Sequence, residues 1–212
     1  MSNEPSASLI AAMTGATSFP TEDGITQVEW RDVGMLPIST GQIVACDPLT
    51  FVGPRPLDRT IEPGEYPLRV LIAHYLNEDQ RIAAAVLVVE HSQFPHSWQM
   101  ATTEGESRSK LKPGEIYGYP VDSGTAGFLD LATAKALDAV LLEDFAYLEK
   151  ILDDLQANYE PTRSWTIHPI QGDLDLCLSA FSSGVGDGSY PCYWGLDTDG
   201  HVVWLLTEFD LL

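Results

Sequence analysis

The residues best suited to chemistry gather in one loop near the C-terminus, Ser182-Ser183-Gly184-Val185-Gly186-Asp187-Gly188-Ser189-Tyr190, set between apolar runs. Glycines on both sides of Asp187 would let the backbone close tightly around a ligand, with Asp187 as a general base or a cation ligand. Asp122 supplies a second carboxylate, and Asp122, Ser183, Gly186, Asp187, Gly188 and Tyr190 form the candidate ligand-binding set. The competing reading is structural, because Asp-Gly is a favoured turn pair between antiparallel strands. Gly184-Val185-Gly186-Asp187-Gly188 is no dinucleotide fingerprint: its spacing is wrong, and a strand follows where a helix is needed.

Other constellations are weaker. Asp197-Thr198-Asp199-Gly200 resembles the start of a calcium loop, but it lacks the third acidic position and the distal Glu, so a type I turn explains it better. Cys46-Asp47-Pro48 sets a thiol beside a carboxylate, which disfavours the thiolate a nucleophile needs. His74, His91, His96, His168 and His201 show no ligand spacing. The chain contains no GxSxG, HExxH or phosphate-binding loop motif. No catalytic residue can be assigned from these patterns, and no metal or cofactor is expected. The aromatics Tyr190, Tyr193 and Trp194 alternate along a strand, which puts Tyr190 and Trp194 on one face and Tyr193 on the other.

Charge is the second clue. Thirty-one Asp and Glu against eleven Lys and Arg leave a formal charge of −20 over 212 residues. Such a surface repels phosphate backbones and anionic lipid, so neither nucleic acid nor membrane is an expected partner. From Ser164 onward there is no Lys or Arg, but there are seven carboxylates: Asp173, Asp175, Asp187, Asp197, Asp199, Glu208 and Asp210. A basic protein is the partner that this segregation favours. No apolar run approaches the roughly 18 residues that cross a membrane, and the start lacks a basic signal region. Three cysteines without paired spacing fit a reducing compartment, so the expected location is cytoplasmic.

These groups need elements to position them. Residues 1–25 are expected to be weakly ordered, with at most a short helix over Leu9 to Met13. Residues 26–212 are expected to fold as one α+β domain, or as two β lobes at 26–105 and 113–212. Strand patterns cover Gln27–Val33, Gln42–Cys46 and Ser97–Thr102. Tyr66–Leu76 and Arg81–Glu90 read as a hairpin around Asn77-Glu78-Asp79-Gln80, although Ala83-Ala84-Ala85 favours helix. Short strands follow at Ile116–Val121 and Gly127–Leu129. The closing strands are Asp173–Phe181, Tyr190–Leu196 and His201–Phe209. One long acidic amphipathic helix is predicted from Leu131 to Tyr159, with a break near Asp138 as the alternative. Its apolar stripe is Leu141, Phe145, Leu148, Leu152, Leu155 and Tyr159. Glu143, Asp144, Glu149, Asp153 and Asp154 fall off that stripe and are the candidate partner-binding residues.

Five stretches resemble a bacterial family known as domain of unknown function 4241: Gly41–Pro48, Pro63–Pro67, Arg81–Ala85, Val121–Asp130 and Ser182–Phe209, the last with Glu208-Phe209 near its end. The resemblance implies a bacterial protein with a mostly β fold, and it implies no substrate. The expected fold is therefore α+β, with mostly antiparallel sheets and one long acidic helix. The expected function is protein binding, as an antagonist or immunity-type factor for a basic partner. The alternative is an enzyme, or a small-ligand or metal binder, that uses the Gly-Asp-Gly loop.

Overall fold

Apolar runs of period two and of continuous burial settle here into two stacked antiparallel sheets. The computed structural model describes residues 4–21, 24–51, 53–76, 78–160 and 162–212. The chain runs through helix α1 (Ala7–Met13), then β1 (Ser18–Thr21), β2 (Gly24–Ile38), β3 (Gln42–Cys46), β4 (Pro56–Thr60), β5 (Gly64–His74), β6 (Gln80–Val88) and β7 (Ser97–Met100). After a short 3-10 turn at Arg108–Lys110 come β8 (Tyr119–Val121), β9 (Thr125–Asp130), α2 (Leu131–Glu143) and α3 (Leu148–Ala157). The last strands are β10 (Trp165–Ile170), β11 (Asp173–Ser182), β12 (Gly188–Tyr190), β13 (Cys192–Leu196) and β14 (Val202–Glu208).

Seven strands form one sheet in the order β1-β2-β5-β6-β14-β13-β7, and five form the other in the order β10-β11-β9-β3-β4. A two-stranded ribbon pairs β12 with β8. The β5–β6 hairpin is the one the sequence predicts, with Leu68 opposite Leu87 and His74 opposite Gln80; Asn77 of its expected loop lies outside the described residues. Ala83, Ala84 and Ala85 are buried in β6, where packing between layers overrides the helical preference of alanine.

Three apolar cores stack through the molecule. Leu36, Val70, Phe128, Phe181, Trp194 and Leu205 fill the space between the two sheets. Leu9, Leu71, Val86, Tyr193 and Leu206 lie on the outer face of the seven-stranded sheet, where α1 covers it. Val44, Leu129, Leu137, Ile151, Leu155 and Leu178 join the outer face of the five-stranded sheet to α2 and α3. Trp194 and Tyr193 thus point into different cores, as alternation along β13 requires, and both are buried.

α1 is stitched on at its start. Ser6 Oγ accepts the Leu9 N–H at 3.1 Å, and the Ser6 N–H donates to Glu208 Oε2 at 3.0 Å. Of residues 1–25, positions 1–3, 22 and 23 lie outside the described residues.

The single long acidic helix does not form. α2 stops at Glu143 because Asp144 adopts an extended conformation, φ −143° and ψ 91°. Its Oδ1 turns back to accept the Ala146 N–H at 3.1 Å, which starts a 3-10 turn over Phe145–Tyr147 before α3. A short acidic side chain that bonds its neighbours' backbone competes with the helix, and here it wins. The break resets the helical phase. Tyr147, Ile151 and Leu155 are the buried stripe of the second segment, while Phe145, Leu152 and Tyr159 of the predicted stripe face solvent.

Candidate functional site

The Gly-rich loop between β11 and β12 is built around one phenol. Tyr190 Oη donates towards Gly186 O at 2.8 Å and Ser183 O at 3.2 Å, and Ser183 Oγ donates to Gly186 O at 2.9 Å. Gly186 N–H closes the turn on Ser183 O at 3.0 Å. Gly184 sits at φ +63°, and a Cβ there would lie 2.9 Å from Phe209 Cβ, so this glycine is needed for close packing as well as for the turn. The Ser183 N–H reaches Gly124 O at 3.1 Å, which brings this loop beside the Asp122–Gly124 turn. Asp122 and Asp187 are both exposed. Asp122 lines a cavity to which Ser183, Gly186, Asp187, Gly188 and Tyr190 do not contribute.

That cavity, of about 170 Å³, opens where β3, β4, β8 and the chain after β7 meet. Its inner wall includes Ala45, Leu57, Ala101, Tyr119 and Cys192. Thr207 Oγ1 donates to Pro191 O at 3.0 Å, so Tyr119 Oη is the donor to Thr207 Oγ1 at 2.9 Å. Burial pushes the Tyr119 phenol well up, pushes the Cys192 thiol up to about 12, and raises the Cys46 thiol beside Asp47 further still. These walls are neutral at physiological pH and present no nucleophile.

Asp47, 3% exposed, holds the rim together. Its Oδ1 accepts from Leu49 N at 2.9 Å, Thr50 N at 3.2 Å and Ser123 Oγ at 2.8 Å. Its Oδ2 accepts from Asp122 N at 3.0 Å and Ser123 N at 2.8 Å. Five donors leave this carboxylate no spare capacity, so its role is to position the Asp122 turn. A second buried carboxylate, Asp130, caps α2 through Ala132 N at 2.8 Å and ties down Thr40 N at 2.9 Å.

The helix junction is the other notable surface. Its inner side is fixed by Tyr147, whose Oη accepts from Gln171 N at 2.6 Å and meets His168 Nε2 at 2.9 Å. His168 Nδ1 lies 2.7 Å from Asp154 Oδ2; with the proton on Nδ1, Nε2 accepts from the phenol. Asp154 is thereby engaged, and Asp144 caps Ala146, whereas Glu143, Glu149 and Asp153 are exposed on the outer side. Among them stand Leu142, 82% exposed, and Phe145, 73% exposed, with Leu152 and Tyr159 about half exposed.

Asp197, Asp199 and His201 bring ligand atoms within 4.8 Å of one another at the β13–β14 turn. Asp197 Oδ1 accepts the Asp199 and His201 N–H groups, each at 2.9 Å. These are the bonds of an Asp that caps its own turn.

Sequence reasoning found the acidic residues of the junction but placed Phe145 on the buried stripe. It also missed Arg55, Thr103 and Glu106 at the cavity mouth, because these come from segments with no local pattern of their own.

The architecture is an antiparallel β sandwich with helices packed on its outer faces. The chain belongs to the family described as protein of unknown function DUF4241, which matches residues 36–207, from the end of β2 to β14. No curated protein and no solved structure matches the chain.

Proposed function

We propose that the protein binds a basic partner protein through the outer surface of the α2–α3 junction, as an antagonist or immunity-type factor would. The observation that carries this reading is the exposure of Leu142 and Phe145 directly beside Glu143 and Asp144. Exposed apolar side chains grouped together and rimmed by polar ones mark interaction surfaces, and aromatic residues are enriched at their centres. Glu149 and Asp153 continue the acidic rim along α3. Desolvating a leucine and a phenylalanine would supply affinity, and the carboxylates would select Lys and Arg and speed the encounter.

The test is capture from a lysate of the protein's own host. Tagged wild type and a Leu142→Ser/Phe145→Ser variant are compared at about 50 mM and about 500 mM salt, where screening of the rim charges differs strongly. The expected result is a stoichiometric basic protein that wild type holds at low salt, that high salt releases, and that the variant fails to hold. Equal capture by the variant, or no basic protein in any arm, would overturn the proposal.

A further inference from the structure

We propose that the cavity beside Asp47 is a binding site for a small apolar amine, with its hydrocarbon body against the inner wall and its ammonium group at the mouth. This site shares no residue with the α2–α3 surface and stands independently of it.

Size comes first. A cavity of about 170 Å³ exceeds the roughly 150 Å³ that holds a benzene ring in an apolar protein interior. One ring or branched chain with a short arm is therefore the scale of ligand that fits. The wall chemistry comes next: Ala45, Leu57 and Ala101 are aliphatic, and the Tyr119 hydroxyl is already spent on Thr207. Away from the mouth the lining carries no charged group, and its polar atoms are isolated hydroxyls such as that of Thr102, so the ligand's inner part is mainly apolar.

Charge at the mouth chooses between an amine and an acid. One guanidinium, Arg55, faces three carboxylates, Asp47, Glu106 and Asp122. Discounting Asp47, whose oxygens already accept five hydrogen bonds, the balance is still negative. Arg55 is oriented by Thr103, with Nη2 donating to Oγ1 at 2.9 Å. Glu106 Oε2 accepts the Thr103 N–H at 2.7 Å, and among the described residues its other oxygen has no hydrogen-bond partner. Asp122 is exposed at the end of a turn that Asp47 holds in place. The formal −20 of the whole chain adds a long-range field that draws cations towards such an opening. An anion would have to overcome both the rim and that field.

The experiment is titration calorimetry of the full chain with 2-phenylethylamine and, separately, with 3-phenylpropionate, which matches it in ring and arm but carries the opposite charge. Two variants accompany wild type. Asp122→Asn/Glu106→Gln removes the rim charges from exposed and half-buried positions, and Ala101→Phe fills the inner wall. The amine is expected to bind wild type, to bind the rim variant about tenfold more weakly, the scale of two partly solvated charge contacts, and to be excluded by Ala101→Phe. Binding of the acid in preference to the amine would overturn the proposal. So would binding of neither probe, or an unchanged amine affinity in the rim variant, which tests the site even if Ala101→Phe fails to fold.

Discussion

Asp144 Oδ1 accepts the Ala146 N–H at 3.1 Å, and this bond turns what would be one helix into two. It ends α2, restarts the chain as a 3-10 turn, and leaves Leu142 and Phe145 facing solvent on either side of the capping residue. The surface proposed for partner binding is thus a consequence of one side chain competing with a helical hydrogen bond.

Replacing Asp144 by Ala removes that cap. Loss of an N-cap typically costs about 1 kcal/mol, which for a chain of this size lowers the thermal midpoint by roughly 2–4 °C. Thermal unfolding followed by circular dichroism measures it, and partner capture by the same variant should weaken because Phe145 loses its fixed direction.

This break also shows where local pattern stops being informative. Leu131–Ala157 is rich in good helix formers on both sides of Asp144, so the sequence reads as continuous, and the outcome depends on Tyr147 and Ile151 finding the outer face of the five-stranded sheet. By contrast, β3 lies where its apolar run puts it, Gln42–Cys46, and β5 and β6 pair as their patterns suggest. Besides the short β12, which forms inside the expected Gly-rich loop, three strands are not legible in the sequence: β1, β4 and β10. Each contains a proline (Pro20, Pro56 and Pro169), and each is an edge strand of its sheet. Proline breaks the strand pattern in the sequence, and an edge is where a strand can lack an N–H. The candidate loop residues were legible because glycines and Asp187 cluster in sequence. The cavity was not, since its wall joins residues as far apart as Val44 and Cys192.

Asp47→Ala should be among the most damaging single changes away from the cores. It removes five hydrogen bonds to a carboxylate, each worth about 1.5–3 kcal/mol when shielded and less where, as at the exposed Thr50, Asp122 and Ser123, water reaches the donor. A loss of at least about 3 kcal/mol is expected, or roughly 6–12 °C in midpoint, measured by thermal or urea unfolding. Asp47→Asn, which keeps one acceptor oxygen, should lose less.

Glu208 predicts a pH dependence. Burial raises its carboxyl above the ordinary value of 4.5, and the Ser6 N–H offsets this only in part. A group whose folded pKa is raised contributes stability that is fully present below its unfolded pKa and is lost as pH rises through the folded value. Glu208→Gln keeps an acceptor for Ser6 and abolishes that titration. The midpoint of the variant minus that of wild type should therefore be larger at about pH 8 than at about pH 4. A difference that does not change with pH would contradict the assignment.

The three thiols should be inert in the folded protein. Burial raises Cys46, Cys177 and Cys192, the last up to about 12, so little thiolate exists near neutrality. Reaction with a disulfide reagent at about pH 7.5 should be slower by orders of magnitude in buffer than in urea, where all three cysteines react. Fast labelling of Cys46 or Cys192 in buffer would contradict a closed cavity wall.

The most direct test of the partner surface places a benzoyl-phenylalanine photocrosslinker at position 145, with the same group at Val185, 72% exposed on the Gly-rich loop, as the control. Irradiation in host lysate is expected to give a discrete adduct from position 145 that weakens as salt is raised, with Lys and Arg in the crosslinked segment of the partner. Position 185 should give none. No adduct from position 145, or the same adduct from both positions, would contradict partner binding at the α2–α3 junction.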